Sequence, residues 1–171
     1  MTRPLALVLA VLAAGGGAAA AIDAGGFLLL PRAASAGDQT LYGHIDTLAP
    51  RGGRFLLRFD PAWFTSGVTA NTAAAEDGVV PRGQPVPNDN YVVEESHRRY
   101  SYLVPASARV TVLTNRSPGG ITATPISVSQ LAQIVRGRPP RGLKLFEPLD
   151  SGVWIRVHVD TVRSIDQQYR P

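Results

Sequence analysis

Two short dyads carry the residue types best suited to chemistry in this chain: His44-Ile45-Asp46 and His158-Val159-Asp160. Residues two apart on an extended strand share a face, so each dyad presents an imidazole beside a carboxylate. Both groups ligate zinc and other divalent transition metals. If the first and last long strands were neighbours, as barrel closure sometimes requires, His44, Asp46, His158 and Asp160 would converge as four metal ligands. The competing reading leaves both dyads on a solvent face, opposite the apolar residues beside them.

Other candidate chemistry is thinner. Pro87-Asn88-Asp89-Asn90 followed by Glu94-Glu95 is rich in oxygen, but it lacks the alternating register of a calcium loop. Asn and Asp beside Pro make turns by bonding their own backbone. No Gly-x-Ser-x-Gly elbow places a serine nucleophile, and neither Gly52-Gly53 nor Gly119-Gly120 has phosphate-loop spacing. The paired carboxylates Glu76-Asp77 and Glu94-Glu95 are adjacent, so on regular structure they diverge. No cofactor is expected. Among the aromatics, Trp154 lies opposite an aliphatic face and beside Arg156, which suggests an exposed contact patch.

Composition narrows the field further. The chain has no Cys, which excludes disulfides, thiol catalysis, zinc–thiolate sites and iron–sulfur clusters. Lys144 is the one lysine; every other cation among the 17 basic residues is Arg, and the net charge is only +4. That small excess, with Arg98-Arg99 and Arg136/Arg138/Arg141 interrupted or loop-like, lacks the concentrated stripe that nucleic acid requires.

The N-terminus reads as an export signal. Arg3 precedes an apolar run from Leu5 to Ala14, and Ala-x-Ala patterns follow at Ala18–Ala20 and Ala34–Ala36. Residues 1–36 are expected to be a signal peptide and its cleavage region, with an earlier cut after Ala20 as the alternative. A retained anchor is the third option, since an apolar span of about 20 residues can cross a bilayer. Residues 37–171 then form a single exported domain, large enough to build a core without cross-links.

The elements that must position these residues are mostly strands. Leu41–Leu48 and Arg54–Phe59 flank Gly52-Gly53 as a hairpin that Asp60-Pro61 should end. An Ala-rich stretch from Val68 to Ala75 predicts two helical turns stopped by Asp77-Gly78, and a Pro/Gly-rich loop follows. Short strands are expected at Tyr91–Glu95, Tyr100–Val104 and Arg109–Thr114. Ser127-Val128-Ser129-Gln130 is a capping box that starts a helix running to about Arg136. Val153 to Val159 alternates cleanly, with Val153, Ile155, Val157 and Val159 on one face and Trp154, Arg156 and His158 on the other. In the final decapeptide, Val162, Ile165 and Tyr169 are expected to dock on the domain. The pattern predicts a mainly β, β-rich α+β domain: a small partly open OB-like barrel with one or two short helices. A two-sheet sandwich is the alternative.

Several segments together resemble a group of small exported β-rich proteins of Gram-positive, mainly GC-rich, bacteria. They are Tyr42-Gly43-His44-Ile45, Phe59-Asp60-Pro61-Ala62, Glu76-Asp77-Gly78, the run from Pro87 to Val93, Trp154-Ile155-Arg156-Val157, and Val162 to Pro171. The resemblance covers roughly residues 41–171. It implies export and domain extent, and it carries no activity, cofactor or partner with it. The expected role is a non-enzymatic domain, secreted or envelope-associated, that binds or scaffolds an envelope component or a protein partner. Nucleic acid is not expected, and membrane contact only through an uncleaved N-terminal segment. A metal-binding protein built on the two dyads and an unrecognised hydrolase are the alternatives.

Overall fold

The computed structural model describes residues 37–94, 98–115 and 119–170, together with the backbone of two short strands, β1 (Ala21–Ile22) and β2 (Leu28–Leu29). The chain divides into two units, Met1–Ala34 and Ser35–Pro171. In the first, β1 and β2 pair antiparallel. The expected signal peptide otherwise lies outside the described residues. Among these, no helix is long and apolar enough to cross a membrane.

The second unit begins with a long hairpin, β3 (Gln39–Arg51) and β4 (Arg54–Ser66). Arg51 pairs with Arg54 across a two-residue turn in which Gly52 and Gly53 both have positive φ, 53° and 76°. That is the turn geometry that matches strand twist and that glycine adopts freely. The second strand runs on through Asp60-Pro61, where the sequence suggested a stop. The reason is an exchange of partners. On one edge β4 pairs with β6 (Tyr100–Pro105) over Arg54–Phe59, then with β5 (Asn90–Glu94) over Ala62–Ser66. Pro61 sits in the gap between them, so on that edge its missing N–H leaves no ladder bond unmade.

The remaining strands are β7 (Arg109–Asn115), β8 (Ile121–Ile126), β9 (Val153–His158) and β10 (Thr161–Gln167). Five of the strands close into a barrel in the circuit β3–β4–β6–β10–β9 and back to β3. The last seam is parallel: Thr161 pairs with Leu103, and the Leu103 amide donates to the Asp160 carbonyl at 2.8 Å. Numbered within the barrel, the order is first, second, third, fifth, fourth. This is a small OB-like barrel, closed rather than partly open, and it displaces the sandwich alternative. The strand β8 has no counterpart in the sequence reading. It is an edge strand paired only with β7, which is where a strand containing Pro125 can sit.

Alternation fills the interior. Leu48, Leu57, Phe59, Val104, Val153, Ile155, Val157, Val162 and Ile165 are buried in one cluster, each contributing roughly 1.5–3 kcal/mol. Helix α2 (Val128–Val135) adds Val128, Leu131 and Ala132 to that cluster. Its capping box is complete: Ser127 Oγ accepts from the Gln130 amide at 3.2 Å, and the Ser127 amide donates to Gln130 Oε1 at 2.8 Å. Helix α1 (Gly67–Glu76) packs through Ala70 and Ala74 against Val86, Val80 and Tyr91. Of the C-terminal decapeptide, residues 162–167 belong to the closing strand β10. Val162 and Ile165 are buried in it, while Tyr169 is 40% exposed and rests on Phe146.

Candidate functional site

The barrel does bring the first and last long strands together, since β3 pairs with β9. The antiparallel register nevertheless separates the two dyads. Gln39 lies opposite Val157 and Gly43 opposite Val153, so His158 falls near the start of β3 and His44 some six residues further along. At about 3.3 Å per residue that is roughly 20 Å. The four proposed ligands therefore do not converge, and the described residues contain no group of three or more His, Cys, Asp or Glu that could hold a metal.

Each dyad is instead divided among other partners. His44 Nε2 lies 3.2 Å from Glu94 Oε1. Asp46 turns to Arg99, whose guanidinium also reaches Asp60, at 3.4 and 3.2 Å. The bulge between Ile45 and Thr47 interrupts the alternation that would hold His44 and Asp46 together. His158 Nδ1 meets Asp38 at 3.2 Å, and Asp160 accepts from the Thr161 hydroxyl. The Asn88-Asp89 segment is a turn, with φ of 60° and 55°, and Asn90 donates to the Asn88 carbonyl.

The expected contact patch splits as well. On β9 the side chains of Val153, Ile155 and Val157 enter the barrel, so Trp154, Arg156 and His158 lie outside it. Trp154 is half-buried against Tyr42 and Phe64, at ring distances of 5.1 and 6.0 Å. Its indole N–H donates to Gln168 Oε1 at 2.6 Å. Tyr42 is its cross-strand neighbour, fully buried, and donates its hydroxyl to the Ser151 carbonyl at 2.7 Å. Burial pushes the Tyr42 phenol above its ordinary value of 10, with Glu94 and Glu147 acting the same way and Arg170 opposing. Gly152 is required behind this ring: its φ is 98°, and a Cβ there would collide with the Tyr42 hydroxyl.

Arg156 remains exposed at the other end of the same face. Around the β9–β10 turn, at whose tip Val159 is 84% exposed with a φ of 57°, lie two open grooves. Positive φ is a marked outlier for a β-branched residue. One groove, about 460 Å³, runs along β4 and β6 and is lined by Arg51, Arg54, Leu56, Leu103 and Asp160. The other holds Arg156, His158 and Arg163. A larger cleft of about 670 Å³ opens where His44 and Ile45 face the end of α2 and the 145–150 segment. Within that segment, Glu147 Oε1 is buried and has no hydrogen-bond partner among the described residues.

Sequence reasoning found Arg156, His158 and Asp160 but not their neighbours, because Arg51, Arg54, Arg109 and Arg163 reach the turn only through strand register. Comparison with protein-family models, with curated proteins and with solved structures returned no match, so the functional reading rests on geometry.

Proposed function

We propose that this protein is a non-enzymatic binding domain that works outside the cytoplasm, at the cell envelope. The observation that carries the reading is the groove on the β4–β6 face between the Arg51–Arg54 turn and the β9–β10 turn. Barrels of this strand order take extended polymers on that face, between those two turns; the step from fold to role here is one of analogy. The local chemistry agrees with it. Leu56 and Leu103 supply apolar contact along the groove, and Arg51 and Arg54 supply donors at one end. The N-terminal signal pattern and the resemblance to small exported proteins support the location.

Two measurements test the proposal. The mature protein is expected outside the cytoplasm, with a new terminus near Ala21 or Gly37, and to co-sediment with purified cell walls. Arg51→Gln/Arg54→Gln should weaken the co-sedimentation. Cytoplasmic protein that begins at Met1 or Thr2, or no retention on walls, would sink it.

A second reading has one specific observation in its favour. The cleft beside His44 has the size of a small-molecule site, and the unpartnered Glu147 Oε1 in its wall suits a ligand with an apolar body and one hydrogen-bond donor.

A further inference from the structure

The second groove at the β9–β10 turn combines three arginines that no stretch of sequence places together. In register, Ser164 on β10 lies opposite Arg156 on β9 and opposite Arg109 on β7. The three residues thus form one row across three strands, with Arg156 and Arg109 two strand spacings apart, roughly 10 Å between backbones. Ser164, buried at 4% exposure, lies between the two exposed arginines. The bulge between Val162 and Ser164 adds Arg163, which lines the same groove.

These cations are poorly neutralised. Arg156 and Arg163 have no hydrogen-bond or ion-pair partner among the described residues. Arg109 has only Asp166 at 3.9 Å, and that carboxylate already accepts from the Thr111 hydroxyl at 2.6 Å. Asp38 is the one carboxylate in the lining, and it is held against His158. Three arginines against this one carboxylate leave the lining an excess of at least two positive charges over a groove of about 500 Å³.

We infer that this groove is a binding site for a phosphate group. Guanidinium forks reward oxyanions through paired, charge-assisted hydrogen bonds. A planar carboxylate is satisfied by one such fork. A tetrahedral phosphate offers oxygens in several directions, so Arg109, Arg156 and Arg163 can each engage one, above Ser164. The site lies off the β4–β6 face, beyond the turn, so a chain of phosphodiesters could occupy both. The inference deepens the binding-domain reading and rests on it.

Calorimetric titration of the purified protein at low salt tests it with four probes: inorganic phosphate, a polyglycerol-phosphate polymer, phosphatidylglycerol vesicles and polyglutamate. Saturable binding of at least one phosphate probe is expected, and the tightest probe names the source of the group. Arg156→Gln/Arg163→Gln should weaken that binding tenfold or more, with the melting temperature unchanged. Arg51→Gln/Arg54→Gln should not weaken inorganic phosphate. Equal binding of polyglutamate and polyglycerol phosphate overturns the assignment to phosphate. Binding unaffected by Arg156→Gln/Arg163→Gln while wall co-sedimentation persists overturns this site and leaves the binding domain standing. An unsubstituted protein that binds no phosphate probe and does not co-sediment with walls overturns the two together.

Discussion

Trp154 and Arg156 stand two residues apart on the same outward face of β9, and their fates are opposite. Trp154 is walled in: Tyr42 arrives from β3, Phe64 from β4, and Gln168 from the C-terminal tail takes up the indole N–H. Arg156 shares an open groove with Arg109 and Arg163 and stays exposed to solvent. The strand supplies both side chains with the same direction, and the neighbouring strands decide the rest. One end of the face is therefore packing, and the other is available for a ligand.

The sharpest way to break the comparison is to remove what both ends share. Truncation after Asp160 deletes β10, which supports the arginine row, and with it Gln168. Buried Val162 and Ile165 alone contribute about 3–6 kcal/mol, against ~5–15 kcal/mol for a whole domain. The truncated chain should show no cooperative melting transition; one within a degree or two of the full-length protein would remove β10 from the fold's essentials.

Gly152→Ala should come next, at about 3–5 kcal/mol, because it overpacks Tyr42 and places a Cβ on a backbone with positive φ. Denaturant titration reads this directly. A matched pair then separates the ends. Trp154→Ala should cost about 2–3 kcal/mol, less than a fully buried aromatic because the ring is only half covered. Arg156→Ala should stay within about 0.5 kcal/mol. Equal losses would mean that the arginine end is structural too.

Tyr42→Phe forfeits one hydrogen bond worth about 0.5–1.5 kcal/mol. It also changes the alkaline limb. The fold holds this phenol above 10, so the unfolded chain loses the proton first. Stability is full below pH 10 and drains away as pH rises through the folded value. The Phe variant should lose stability more gently there, measured as midpoint against pH.

Local patterns were legible where local chemistry decides. The capping box at Ser127, the Gly52-Gly53 turn and the alternation of β9 each rest on a few adjacent residues, and the barrel class followed from strand count and length. Pro61 misled because its tolerance depends on a gap between two partners that are distant in sequence. The strand β8, with Pro125 inside it, carried too weak a pattern to compete with its turn signals. The dyads failed as a group because spacing predicts which residues share a face, not which end of a neighbouring strand they meet. The arginine groove was invisible for the same reason: Arg109, Arg156 and Arg163 are assembled by register and by a bulge.

The seam between β6 and β10 has a consequence in time. Leu103 and Thr161, which join there, lie about 58 residues apart. At roughly 5–20 residues per second, a ribosome finishes that interval several seconds after Leu103 has been made. Until then the free edge of β6 has no partner from β10, and the hairpin of β3 and β4 must wait with its apolar face uncovered. Of the five barrel strands β10 comes last in sequence and is the one that shuts the circuit, so the barrel cannot close before Thr161–Gln167 are in hand.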